Sequence, residues 1–316
     1  MSRVLLAKDH RIAPHLALIA VQVMFGTWPV VGKVALRGLS STMLVAFRVG
    51  GAAVAFTLLQ RQLGQLVRLP HRDLLRLFLC SLLGVSLNQL LYVKGLSLTT
   101  AINASLLSTA IPVFTLLISI VLGLDRLSWR RVTGIALAAA GVIYLIDPVR
   151  ADISAKTTAG NLLIVVNTLA YGGYIAISKD LFTRYGALNV ITWLFVLACL
   201  IVLPVGVVSA NNVSSTAEQG LVIWLAAIYT VMVPTVAAYY LNAWALTRVP
   251  PSTVAAYIYL QPLIAFGLAP LVLGERWTIR TLLACTLVFA GVAVVTARGR
   301  SEAVKEVEKR PDALAH

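Results

Sequence analysis

Charge is scarce in this chain. Asp, Glu, Lys and Arg make up 12% of its 316 residues, against roughly 25% in water-soluble domains. Most of its surface is therefore expected to face something other than water. The three cysteines, Cys80, Cys199 and Cys285, each lie inside an apolar run with no CxxC or Cys/His spacing. That excludes a disulfide framework, a zinc site and a thiol nucleophile. The four histidines, His10, His15, His71 and His316, sit in tails, at a helix start and in a loop, so no catalytic triad or dyad assembles. No Walker A motif is present, which excludes ATP hydrolysis by the chain itself. No enzymatic activity, metal or cofactor is expected. Negative charge is scarcer still, with 12 acidic residues against 26 basic and a net charge of +14. In a soluble protein that balance would point to nucleic acid. Here the basic residues stand between apolar runs with no soluble domain to form a groove, so they read as positive loops beside a membrane and no nucleic-acid partner is expected.

What the chain has in abundance is apolar length. It is 59% hydrophobic with a mean hydropathy of +0.89. A hydrocarbon core of roughly 30 Å takes about 20 apolar helical residues. Runs of that length recur ten times, near 14–37, 42–60, 73–95, 98–123, 129–147, 160–183, 188–209, 220–246, 251–274 and 277–297, here called spans 1 to 10. Lipid cannot satisfy open backbone groups, so these runs must be helices. They are too long and uniform for barrel strands. The first run follows Arg3, Lys8 and Arg11 but exceeds a signal-peptide core and lacks a cleavage site, so it reads as a retained span. With the N-terminus cytoplasmic, the inner segments carry 18 Lys and Arg and the outer ones six. That bias places both termini inside. Asn212-Val213-Ser214 in the outer loop is a sequon, meaningful only in a eukaryotic secretory route.

The chain also resembles itself. At an offset of 150, Pro112 meets Pro262, Asp125 meets Glu275, Arg126 meets Arg276 and Gly141 meets Gly291. In the first spans the offset is 146, pairing Phe25-Gly26 with Tyr171-Gly172 and Lys33 with Lys179. Five spans per half is an odd number, so the second half must lie upside down. The expected architecture is an all-α integral membrane protein: ten transmembrane helices as two inverted five-helix repeats. The expected segments are a tail 1–13, a repeat 14–147, a linker 148–159, a repeat 160–297 and a tail 298–316. Inverted repeats are a device of secondary transporters, giving two equivalent gates around a midplane site.

The residues at these positions resemble the drug/metabolite transporter superfamily, in particular the EamA-type ten-span exporters. The resemblance rests on Phe25-Gly26 followed by Lys33, on Phe47-Arg48, and on Ala101, Ala104-Ser105 and Pro112 running to Leu122-Gly123-Leu124-Asp125-Arg126. Pro262 running to Leu273-Gly274-Glu275-Arg276 repeats the last pattern. Phe25 stands where tryptophan is usual and Asp125 where glutamate is usual. The likeness covers about 14–297. It implies export of amino acids or similar metabolites across the bacterial inner membrane, without fixing a substrate. A nucleotide-sugar or phosphate-ester antiporter shares the architecture. An intramembrane lipid-modifying enzyme is the alternative outside transport.

Polar residues inside spans are costly and mark packing or a pathway. Ser105, Ser108, Thr109, Pro112, Thr115 and Ser119 share one face of span 4, read either as close helix contact or as pathway lining. Asn88, Gln89 and Tyr92 in span 3, with Tyr239 and Asn242 in span 8, suit the polar groups of a metabolite. Gln22, Tyr171 and Tyr259 complete the expected substrate-binding set with Ser105, Ser108 and Thr109. Pro112 and Pro262 each remove a mid-helix hydrogen bond, read as a gate hinge or a static kink. Gly26 and Gly172 belong to the expected gating or structural set. Lys33 and Lys179 near span ends read first as snorkelling to headgroups. Arg48 snorkels, bonds carbonyls or receives a substrate carboxylate. Asp125 with Arg126, and Glu275 with Arg276, are candidate gate ion pairs. The expected partners are a small-molecule substrate and the lipid bilayer, with a single copy of the chain functioning on its own.

Overall fold

The computed structural model describes residues 2–63, 70–123, 129–146, 155–210, 220–246, 248, 257–258 and 260–296. Among them every regular element is a helix. Seven are long and apolar enough to cross a membrane: Ile12–Ala35, Ser41–Leu63, Arg72–Leu98, Ala101–Val121, Lys156–Ser178, Ala187–Ser209 and Leu221–Asn242. Shorter apolar helices, Val132–Leu145, Leu260–Leu273 and Ile279–Gly291, stand in the places of spans 5, 9 and 10. The chain is a multi-pass membrane protein.

The exterior differs from that of a soluble protein. Ile12, Leu16, Ile19 and Val23 form an exposed apolar stripe at helical spacing along span 1. Leu200, Val207, Leu221 and Leu225 are exposed as well. The interior meanwhile holds Gln22, Arg48, Gln89, Asn161, Asn167, Thr230 and Thr235. A continuous apolar exterior of this extent would aggregate in water, and only lipid matches it.

The two halves interlock by a pseudo-twofold relation. Span 1 packs on spans 8 and 9, and its counterpart span 6 packs on spans 3 and 4. A Cβ at Gly26 would meet Ile264 at 2.7 Å, and one at Gly172 would meet Phe114 at 3.2 Å; Phe114 and Ile264 are themselves related by the offset of 150. Spans 5 and 10 face each other directly. Gly141 abuts Ala284 and Val288, while Gly291 abuts Gly134 and Ala138, so these two helices run antiparallel and are exchanged by the same offset. Spans 2 and 7 do likewise, through Ala46 on Gly206 and Phe56 on Phe195 at 5.4 Å between centroids. Corresponding helices that run antiparallel require that one half is inverted relative to the other.

Each half carries the same irregularities. Span 3 is interrupted by a π turn at Leu82–Ser86 and span 8 by one at Met232–Ala237, again 150 residues apart. Spans 4 and 9 both end on a glycine with φ of +70°, Gly123 and Gly274, the left-handed conformation that closes a helix. Span 4 is not one helix. It consists of Ala101–Ser108 and Ile111–Val121, broken at Thr109-Ala110. Pro112 therefore sits in the first turn of the second piece, where a missing N–H costs nothing. Pro262 occupies the first turn of Leu260–Leu273. Pro112 thus follows directly on the interruption of span 4, and Pro262 stands near the start of Leu260–Leu273.

Candidate functional site

The deepest charge in the described interior is Arg48. It lies seven residues into the helix Ser41–Leu63, about 10 Å from its start at 1.5 Å per residue, and is 2% exposed. Its Nη1 donates to Gln89 Oε1 at 2.6 Å, its Nη2 to Thr235 Oγ1 at 2.8 Å and its Nε to the Thr230 carbonyl at 3.4 Å. The guanidinium carbon stands 3.6 Å from the centre of the Trp28 ring. Four spans thus converge on one cation: span 1 through Trp28, span 2 through Arg48, span 3 through Gln89, and span 8 through Thr230 and Thr235. All of these partners are neutral. Among the described residues no carboxylate pairs with Arg48.

Pro234 explains how span 8 offers its carbonyl. It has no N–H to return to the Thr230 oxygen four residues back. That oxygen instead accepts from Thr235 Oγ1 at 2.8 Å and from Arg48. An aromatic wall continues the site. Tyr92 stacks on Trp28 at 6.0 Å, Tyr239 sits edge-on to Phe25 and to Phe195, and Tyr171 lies against Tyr174 at 5.3 Å. Tyr92, Tyr171 and Tyr239 all pack against the same apolar cluster as Trp28.

Of the residues expected from sequence, the structure brings Gln89, Tyr92 and Arg48 to this centre, and Tyr171 and Tyr239 pack against the same apolar cluster as Trp28. Gln22 is buried elsewhere along span 1, its Oε1 accepting from Gln261 Nε2 of span 9 at 2.7 Å. Asn88 contributes its backbone oxygen to Asn167 Nδ2 at 2.8 Å. Ser105 and Thr109 are buried in span 4, and the Thr109 and Ser108 hydroxyls donate to their own helix at Leu106 and Ala104. The break at Thr109-Ala110 splits the continuous hydroxyl face expected of this span. Asn242 is half-buried. Asp125, Arg126, Tyr259 and the Lys179 side chain lie outside the described residues. Trp28 and Thr230 were not expected. Their one cue in the sequence is a neighbouring proline, Pro29 for the first and Pro234 four residues past the second.

A second polar centre joins the ends of spans 1 and 9 to the start of span 4. Glu275 accepts from the Ala101 and Ile102 N–H groups at 2.8 and 3.1 Å, and its Oε1 lies 3.9 Å from Lys33 Nζ. A carboxylate there complements both the exposed amides and the positive end of the helix. The ion pair is not the one expected: Glu275 partners Lys33, while Arg276 is exposed. Lys33 is accordingly held by an anion rather than by headgroups alone.

At the ends of spans 3 and 6 that face away from this latch, Arg184 donates to both Asp73 oxygens at 2.9 and 3.1 Å and to Asp180 at 2.9 Å. Tyr185 donates to Asp73, and Arg76 bridges Asp180 and the Ile177 carbonyl. Hydrogen bonding to Asp73 raises the pKa of Tyr185 and of Arg184.

The architecture and the repeat now have counterparts among known proteins. The model of the EamA-like transporter family matches residues 13–146 and again 158–297. This chain belongs to that family. Among its relatives is an uncharacterized transporter of Archaeoglobus fulgidus, 29% identical over 71% of this chain and 76% of its own. A probable terminal-alkyne amino-acid exporter of Streptantibioticus cattleyicolor is 27% identical over 84% of this chain and 87% of its own. A WAT1-related protein of Arabidopsis thaliana is 26% identical over 89% and 84%. A solved crystal structure, 18% identical, superimposes with a TM-score of 0.63 over 91% of this chain and 98% of that one, which shows a shared fold.

Proposed function

We propose that this EamA protein is a secondary transporter that exports small polar metabolites, foremost amino acids and related compounds, by alternating access. Its setting on this reading is a bacterial inner membrane with both termini cytoplasmic, and one copy of the chain suffices. The observation that carries the reading is a polar, aromatic-walled centre around Arg48, built jointly by two inverted halves. Polar groups this deep are expensive, and inverted halves give a solute two symmetry-related ways out. The Lys33–Glu275 pair acts as a closure over one of them, on the outer face in the orientation that the Lys and Arg distribution favours. The amino-acid exporter among the relatives supports the solute class. A single deep cation suits phosphate esters less well, because a phosphate dianion would bring more negative charge than the centre neutralises.

The test is transport by purified protein in liposomes without ATP. Vesicles preloaded with a radiolabelled amino-acid mixture should release it faster than protein-free vesicles, and Tyr239→Ala should slow release while the protein stays monodisperse. Release at the protein-free rate would refute the reading.

A further inference from the structure

We propose that Arg48 is the docking point for a carboxylate on the transported solute, so that the solute class is monocarboxylates and zwitterions. This rests on the transporter reading above. A guanidinium has five N–H donors, and Arg48 uses three of them, one on each nitrogen. One N–H is left over on each terminal nitrogen, and a two-oxygen acceptor suits such a pair. The three acceptors now engaged are a side-chain amide, a hydroxyl and a carbonyl, none of them charged. A buried cation without an anion is costly. A structural cross-link between spans 1, 2, 3 and 8 needs no such charge, whereas a site for a carboxylate does.

The neighbours fit the role. Trp28 holds the guanidinium face by a cation–π contact at 3.6 Å, fixing its plane while leaving its edge for hydrogen bonds. Gln89 Oε1 and Thr235 Oγ1 are side-chain acceptors that rotate away as a carboxylate takes their place. Tyr92, stacked on Trp28, and Tyr239, packed against the same apolar cluster, carry hydroxyls that donate to an incoming anion. Gln89 and Thr235 come from opposite halves of the repeat, so replacing them by a solute loosens a tie between the two moving units. Docking and conformational release are then one event.

The experiment is entrance counterflow in liposomes reconstituted with the full chain, using a radiolabelled amino-acid mixture as probe. Competitors are the same amino acids, their amides and the corresponding decarboxylated amines. Arg48→Gln and Arg48→Lys are assayed alongside, each with its thermal midpoint. The acids should compete in the wild type, while amides and amines should need at least about tenfold more, the value of a lost charge-assisted hydrogen bond. Arg48→Gln should raise the half-saturation concentration at least about tenfold in protein that stays folded. Arg48→Lys should recover part of the affinity. Amides competing as well as acids would overturn the carboxylate site even if Arg48→Gln failed to fold. So would an Arg48→Gln protein that loses thermal stability and maximal rate but keeps the wild-type half-saturation. No counterflow of any amino acid by the wild type would refute the transporter reading itself, and the carboxylate site with it.

Discussion

A methyl group on Gly291 would fall 2.5 Å from the Ala138 nitrogen and 2.6 Å from the Gly134 oxygen. Both are backbone atoms of span 5 and cannot rotate aside. Gly291→Ala should therefore cost about 1–3 kcal/mol by overpacking and lower the thermal midpoint in detergent by several degrees. Gly267 has open space around it, so Gly267→Ala should leave the midpoint unchanged or raise it. Equal losses at both sites would mean that the span 5–span 10 contact is not a tight one. At this scale the sequence is legible where a residue has a repeat mate. Gly141 and Gly291 stand out by their offset of 150, and Gly26 and Gly172 by 146. It is much less legible where function depends on distant partners. Arg48 is conspicuous as a mid-span cation, yet Gln89 and Thr235 lie 41 and 187 positions away. Nothing in spacing links them.

Span 8 turns the chemistry of one residue into the geometry of the site. Its π turn at Met232–Ala237 contains Pro234, which leaves the Thr230 carbonyl to Thr235 and Arg48. Pro234→Ala supplies the missing N–H, favours a regular helix and rotates Thr235 off the guanidinium. It should tighten half-saturation in the same counterflow assay by about tenfold, because Thr235 no longer competes with the carboxylate for the guanidinium, with no loss of thermal stability. An unchanged half-saturation would show that the π turn does not position Thr235. Whole spans are easy to find because apolar length is a demand of the bilayer and survives any sequence variation. Their interruptions are harder. The break at Thr109-Ala110 and the π turn at Leu82–Ser86 fall in stretches as apolar as the rest, and Pro112 looks like a kink until the helix is seen to start beside it.

The molecule as a whole is two interlocked halves of opposite polarity, visible in the antiparallel pairing of span 2 with span 7 and of span 5 with span 10. Spans 1 and 6 each reach across to the other half, so neither half closes its core alone. The odd number of spans per repeat makes the inversion readable from sequence. The exchange of spans 1 and 6 is not, because it depends on which helices pack rather than on how many there are. The latch at Lys33 and Glu275 and the cluster around Asp73 and Arg184 tie opposite ends of this assembly, with the Arg48 centre between them. Alternating access requires that the centre be reached from each side in turn. Ser108, half-buried on span 4, is a suitable reporter. In a variant lacking Cys80, Cys199 and Cys285, Ser108→Cys is exposed to a membrane-impermeant thiol reagent from one face of sealed vesicles at a time. Labelling from either face, slowed by a transported amino acid, is the predicted result; labelling confined to one face under every condition would contradict it.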